Sequence, residues 1–83
     1  MTIYEKELQE LKTWDEIQST SFPDFYQGYP KINTAGHGYL VVMSSDSNYS
    51  KALPLASFIG KKAVYLEEDC EAFAFIKLIQ QLT

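Results

Sequence analysis

The sequence predicts a small single-domain α+β fold in which a short sheet of two or three strands packs against an N-terminal helix and a C-terminal helix. The central strand is expected over residues 39–43, where β-branched and apolar side chains point to both faces. Residues 62–66 are expected beside it, because their apolar side chains alternate as in a strand with one buried face. Apolar residues at helical spacing over 72–82 predict the last helix.

The N-terminal segment carries helix signals. Thr2 and Glu5 have the spacing of a capping box. Apolar residues then follow at helical intervals: Tyr4, Leu8, Leu11, Trp14 and Ile17. The pattern predicts either one helix over about residues 3–18 or two short helices that meet near Lys12, with Ser19-Thr20-Ser21 ending the helical segment.

An unusual aromatic stretch follows at residues 22–30, Phe-Pro-Asp-Phe-Tyr-Gln-Gly-Tyr-Pro. Two prolines and a glycine rule out a long regular element there. Its rings either fill gaps in the core, which a small domain favours, or form an exposed patch for a partner, since aromatic residues are enriched at interface centres. A short strand is expected at residues 31–34, and then a turn at 35–38 whose two glycines are able to take positive φ.

The middle of the chain predicts a polar turn at residues 44–48 and a helical segment at 49–58. Pro54 should kink that segment or split it by starting a new turn. Four acidic residues between the second strand and the last helix then favour the positive end of the helix dipole: Glu67, Glu68, Asp69 and Glu71.

Composition limits the classes of function. The chain has 83 residues, 46% of them hydrophobic, which is enough for one core without a disulfide or metal. A single cysteine suggests a reducing compartment, no apolar run is long enough for a membrane span, and the acidic start does not resemble a signal peptide. We therefore expect a cytoplasmic protein.

The charge distribution argues against direct DNA or RNA binding. The formal net charge is −4, and all seven basic residues are lysines. An acidic protein repels a polyanion, and without arginine it lacks the guanidinium fork that recognises phosphate and guanine. The acids concentrate in residues 1–24 and 67–83, while residues 25–66 are net positive.

Catalytic chemistry has weak candidates. Cys70 and His37 are the only cysteine and histidine. The acids around Cys70 oppose thiolate formation, and the sequence names no orienting group or oxyanion hole, so a buried structural cysteine is the favoured interpretation. The acidic turn lacks the alternating ligands and glycine of a calcium loop, and His37 is expected to tie its turn to nearby backbone. We expect no catalytic site, cofactor or metal.

Two motifs carry a resemblance. The strand His37-Gly38-Tyr39-Leu40-Val41-Val42 is followed by Tyr65-Leu66-Glu67-Glu68-Asp69-Cys70-Glu71-Ala72 and Phe75. This pattern resembles a family of small proteins from phages and conjugative elements that have "GHGYLxV" and "YLEEDCDAxxF" motifs. The likeness covers residues 34–79, with Glu71 where the family commonly has aspartate. Residues 1–33, the helix and aromatic loop, look like an addition to a family-like core over residues 34–83.

The resemblance implies an origin in a mobile element, and small acidic proteins of that origin often inhibit host defence, as anti-CRISPR and anti-restriction proteins do. The leading hypothesis is a non-enzymatic inhibitor that binds a basic surface of a host protein or ribonucleoprotein complex. The alternatives are an accessory regulator of the element's replication or transfer, and a small enzyme that uses Cys70 and His37. The expected partner-binding residues are Glu7, Glu10, Asp15, Tyr26, Tyr29, Glu67 and Glu68, with the acids of the first helix favoured over the acidic turn and the two tyrosines expected beside that helix.

Overall fold

The computed structural model describes residues 2–13 and 15–81. In these residues three helices and a five-stranded antiparallel sheet form an α+β fold. The elements are α1 (Ile3–Leu11), β1 (Ile17–Ser21), β2 (Lys31–Thr34), β3 (Gly38–Met43), α2 (Tyr49–Ala52), β4 (Phe58–Ile59), β5 (Ala63–Glu67) and α3 (Glu71–Gln81). The strand order is β1-β2-β3-β5-β4. The expectation of two or three strands is therefore too small.

Strand β3 is the central strand, as predicted. It pairs with β2 on one side and with β5 on the other, and Val41 lies opposite Tyr65. Every residue from Gly38 to Val42 is buried. The prediction that residues 39–43 are central, with residues 62–66 beside them, is confirmed.

Strand β5 differs from its prediction because both of its faces are covered. Val64 and Leu66 face one core cluster, while Ala63 and Tyr65 face the other, and all four are fully buried. Because Tyr65 carries a polar hydroxyl and Ala63 is small, the alternation in the sequence resembles a half-exposed strand. The prediction of one buried face is wrong.

Two hydrophobic clusters lie on opposite faces of the sheet. The first lies under α3, α2 and a short 3₁₀ turn at Asp24–Tyr26, and its buried members are Tyr26, Leu40, Val42, Ala52, Val64, Leu66, Ala72, Phe75 and Ile76. The second lies under α1, with the buried members Leu8, Ile32, Tyr39, Val41, Ala63 and Tyr65. Helices on both faces explain why the middle of the sheet is apolar on both sides.

Helix α1 starts as the sequence predicts but ends early. The capping box between Thr2 and Glu5 is present. The helix stops at Leu11, and Ile17–Ser21 form a strand that pairs with β2. Serine and threonine hydroxyls compete with helical hydrogen bonds, so the polar run at 18–21 prefers the sheet edge. The helix expected to about residue 18 is wrong, and the predicted contribution of Trp14 lies outside the described residues, as does Leu82.

The segment after β3 follows the prediction for Pro54. Helix α2 ends at Ala52, and a separate 3₁₀ turn at Leu53–Leu55 begins with Pro54 near its start. The helix then gives way to β4, so its predicted extent to residue 58 is too long. Positive φ among the described glycines occurs at Gly28 rather than at Gly36 or Gly38.

Candidate functional site

Glu7 of α1 is bound by the turn that precedes β5. Its carboxylate accepts hydrogen bonds from the backbone N–H groups of Lys61 at 2.7 Å, Lys62 at 2.9 Å and Ala63 at 3.1 Å. The hydroxyl of Tyr65 donates to the same carboxylate at 2.8 Å. Burial acts to raise the pKa of Glu7, but these four donors outweigh it and the pKa is lowered. Glu7 therefore holds α1 on the sheet.

This arrangement changes what the acids of the first helix offer a partner. The carboxylate of Glu7 is already hydrogen-bonded to the chain's own backbone. Replacing Glu7 by lysine would therefore disturb the fold as well as any docking surface. Glu10 is exposed. It lines a shallow cleft of about 420 Å³ together with Leu11 and Ile59. Glu10 is therefore more exposed than Glu7, whose carboxylate is partly buried and hydrogen-bonded to the turn before β5.

Asp15 lies in a buried polar cluster at one end of the sheet. The side chain of Asp15 is 7% exposed and accepts a hydrogen bond from the hydroxyl of Thr34 at 2.7 Å. Nearby, the ammonium of Lys12 donates to the hydroxyl of Tyr39 and lies over its ring. No buried side-chain nitrogen or oxygen among the described residues lacks a partner. The cluster fits a structural role, and Asp15 is not presented to a partner.

Tyr26 and Tyr29 lie on the opposite face of the sheet from α1. Both belong to the cluster under α3. Tyr26 is 5% exposed, and the hydroxyl of Tyr29 donates to Asp46 at 2.9 Å. The expectation that these tyrosines lie beside the first helix is wrong, because the residues between α1 and the aromatic loop form strand β1 and carry the chain to the far side of the sheet.

The acidic turn after β5 is partly tied to the rest of the fold. The carboxylate of Glu71 accepts from the backbone N–H groups of Ser57 at 3.0 Å and Glu67 at 3.1 Å. Glu68 pairs with Lys31 at 2.9 Å. Asp69 is exposed, and no hydrogen bond or ion pair joins its carboxylate to another described residue. Asp69 is thus the acid of this turn that a partner reaches most easily.

Cys70 is exposed, so its prediction as a buried core residue is wrong. It lies in the turn immediately before α3 and belongs to neither core cluster. His37 is also exposed, and its backbone N–H donates to the hydroxyl of Thr34 at 3.1 Å, which ties the turn to the end of β2.

The exposed aromatic surface is formed by phenylalanines and not by the predicted Tyr26 and Tyr29. Phe25, which follows Asp24 in the 3₁₀ turn, stacks on Phe73 of α3, with ring centroids 5.7 Å apart and an interplanar angle of 28°. The two rings are 47% and 48% exposed. We name Asp24, Phe25, Asp69 and Phe73 the acidic-aromatic patch.

Electrostatics place the acidic turn next to this loop. Burial raises the pKa of Tyr26 to about 12, and the negative charges of Glu68 and Asp69 add to that rise. The ring of Tyr26 lies 6.3 Å from the ring of Phe25. Two segments more than 40 residues apart in the sequence therefore meet at one surface, with exposed rings beside exposed carboxylates.

Other kinds of site find little support in the part of the chain that the structure describes. No group of three or more histidine, cysteine, aspartate or glutamate side chains there could hold a metal ion. A second cleft of about 330 Å³ beside Tyr29 and Met43 contains Asp46. The Asp46 carboxylate already accepts from the Tyr29 hydroxyl and the Asn48 backbone N–H. Among the described helices, none has the length and apolar character needed to cross a membrane.

Comparison with known proteins adds no relative to this picture. No protein-family model, curated protein sequence or solved structure matches the chain. The acidic-aromatic patch is therefore the feature of the molecule that bears most directly on function.

Proposed function

We propose that this chain is a non-enzymatic, protein-binding inhibitor from a phage or other mobile element. Its target is a basic, nucleic-acid-binding surface of a cytoplasmic host defence complex, of the kind blocked by anti-CRISPR or anti-restriction proteins. The observation that carries the proposal is the stacked pair of Phe25 and Phe73, half exposed, with the exposed Asp24 next to Phe25 in the chain and the exposed Asp69 four residues before Phe73.

Such a surface suits a basic protein partner. Exposed aromatic rings supply large apolar contact area, and aromatic residues are enriched at the energetic centres of interfaces. Carboxylates around them complement a surface that normally grips phosphates, and they raise the rate of association with it. An acidic chain without arginine favours a protein target over a nucleic acid.

The enzyme alternative has weaker support. A nucleophilic thiol needs a positive neighbourhood, and Cys70 stands between Asp69 and Glu71. The alternative of an accessory regulator uses the same binding surface and differs in its target.

A plating assay tests the proposal. The protein is expressed in bacteria with an active CRISPR or restriction nuclease, and phage plaques or plasmid transformants are counted. Wild type should restore plaques, and the variant with Asp24→Lys and Asp69→Lys should lose at least about tenfold of that protection, because two attractive contacts become repulsive.

Two controls accompany the assay. Glu10→Lys makes the same kind of charge reversal on α1, at an exposed carboxylate away from the patch, and should retain protection. The variant with His37→Ala and Cys70→Ala should also retain it. Protection that survives reversal of the patch, or that depends on Cys70, would contradict the proposal.

A further inference from the structure

The aromatic rings of this surface already hold cations from the chain itself. The ammonium of Lys77 lies 5.4 Å from the centre of the Phe73 ring, and the ammonium of Lys31 lies 5.9 Å from the centre of the Tyr26 ring. A ring face attracts a cation through its quadrupole within about 6 Å. The Lys77 contact places a cation beside the exposed Phe73 ring of the patch, whereas Tyr26 is only 5% exposed and offers no open ring face to a partner.

The patch has further capacity for a cation. Phe25 stacks on Phe73 at an angle that leaves nearly half of each ring exposed. Asp24 and Asp69 are exposed, and neither carboxylate is hydrogen-bonded or ion-paired to another described residue. A cation that stacks on Phe25 would therefore find carboxylates that the fold itself does not use.

We propose that the acidic-aromatic patch binds an arginine side chain of the partner protein, with the guanidinium plane against the phenyl rings and its N–H groups directed to Asp24 or Asp69. A guanidinium is planar, weakly hydrated and forked, so it can stack and pair with a carboxylate at once, whereas a lysine ammonium is a strongly hydrated point charge. The chain contains no arginine, so any such contact comes from the partner. This inference rests on the proposed function and names the group that the target contributes.

The test compares two capped peptides that differ only in the cation, Gly-Arg-Gly-Arg-Gly and Gly-Lys-Gly-Lys-Gly, titrated into the ¹⁵N-labelled full chain. The arginine peptide should shift the amide signals of residues 22–31 and 68–77. It should bind at least about twofold more tightly than the lysine peptide, because a guanidinium can stack on a ring and pair with a carboxylate at once. Phe25→Leu keeps an apolar side chain and should remove the preference for arginine.

A gain of affinity separates this role from a structural one. Lys77→Ala removes the cation that competes for the Phe73 ring, so the ratio of the two peptides' affinities should rise at least about twofold. Lys61→Ala is the matched control, since it removes the same charge from an exposed residue that lines the cleft beside Glu10 and Leu11 of α1. Lys61→Ala should leave the affinities for the two peptides unchanged or raise both by the same factor. A stack that only held the loop on α3 would predict no gain from Lys77→Ala.

The outcomes are distinguishable from those of the plating assay. Equal binding of the two peptides, shifts centred on Glu10, or an unchanged ratio in Lys77→Ala would each overturn the arginine proposal. Protection in the plating assay would still stand in those cases, because the patch could bind by shape and charge alone. If the wild-type protein gave no protection in the plating assay, the proposed host target would be ruled out, whatever the peptides showed.

Discussion

The attachment of α1 through Glu7 gives the sharpest quantitative prediction for this fold. Replacing Glu7 by glutamine removes the negative charge that four donors share, and keeps the side chain's size. A hydrogen bond to a charged group contributes about 1.5–3 kcal/mol, but several of these donors are near solvent and can bind water instead. We therefore expect a loss of about 1–3 kcal/mol, or about 4–24 °C in Tm for a domain of this size.

The comparison variant is Glu10→Gln, which makes the same chemical change on the same helix at an exposed position. It should stay within about 0.5 kcal/mol of wild type. Urea unfolding followed by circular dichroism measures both variants at one pH. If Glu7→Gln costs no more than Glu10→Gln, the hydrogen bonds between α1 and the turn before β5 contribute nothing and the reasoning is refuted.

The pH dependence and a double-mutant cycle test the same contact independently. Because the folded state lowers the pKa of Glu7 below its ordinary value of 4.5, the advantage of wild type over Glu7→Gln should be complete above that value. It should disappear as the pH falls through the lowered pKa. Tyr65→Phe removes one donor to Glu7, so the two substitutions should be coupled by about 1 kcal/mol.

Three further predictions concern other residues. Gly60→Ala places a Cβ against the carboxylate of Glu7 and should cost about 1–3 kcal/mol by thermal unfolding. That cost should be smaller in a Glu7→Ala background, where the carboxylate is absent. An equal cost in both backgrounds would contradict the predicted clash with Glu7. Asp15→Ala removes one of two acceptors of the Thr34 hydroxyl, which keeps the backbone carbonyl of His37 at 2.8 Å, and should cost about 1 kcal/mol in urea; a neutral result would show that the pair is dispensable. Cys70→Ser should change stability by less than about 0.5 kcal/mol, and the wild-type thiol should react with a disulfide reagent without denaturant, because it is exposed. Protection of that thiol in the folded chain would refute the assignment.

The sequence determined the features that depend on neighbouring residues. The capping box at Thr2 and Glu5, the strand at residues 31–34 and the break at Pro54 all follow from local backbone chemistry. The central position of residues 39–43 also followed, because a strand that is apolar on both faces can be buried only between two layers. These signals needed no knowledge of distant contacts.

Tertiary structure decided the features in which distant segments meet. Nothing local distinguishes Glu7 from Glu10, and only the docking of α1 on the turn before β5 gives one of them four donors. Ile17 continued the helical spacing of the first segment, but it opens strand β1, which pairs with β2. The same limit applies to the candidate site: the sequence named the acidic turn and the aromatic loop, but Phe25 meets Phe73 only because the sheet brings α3 over the loop. Burial and pairing across 48 residues of chain separation are global properties, so no local pattern encodes them.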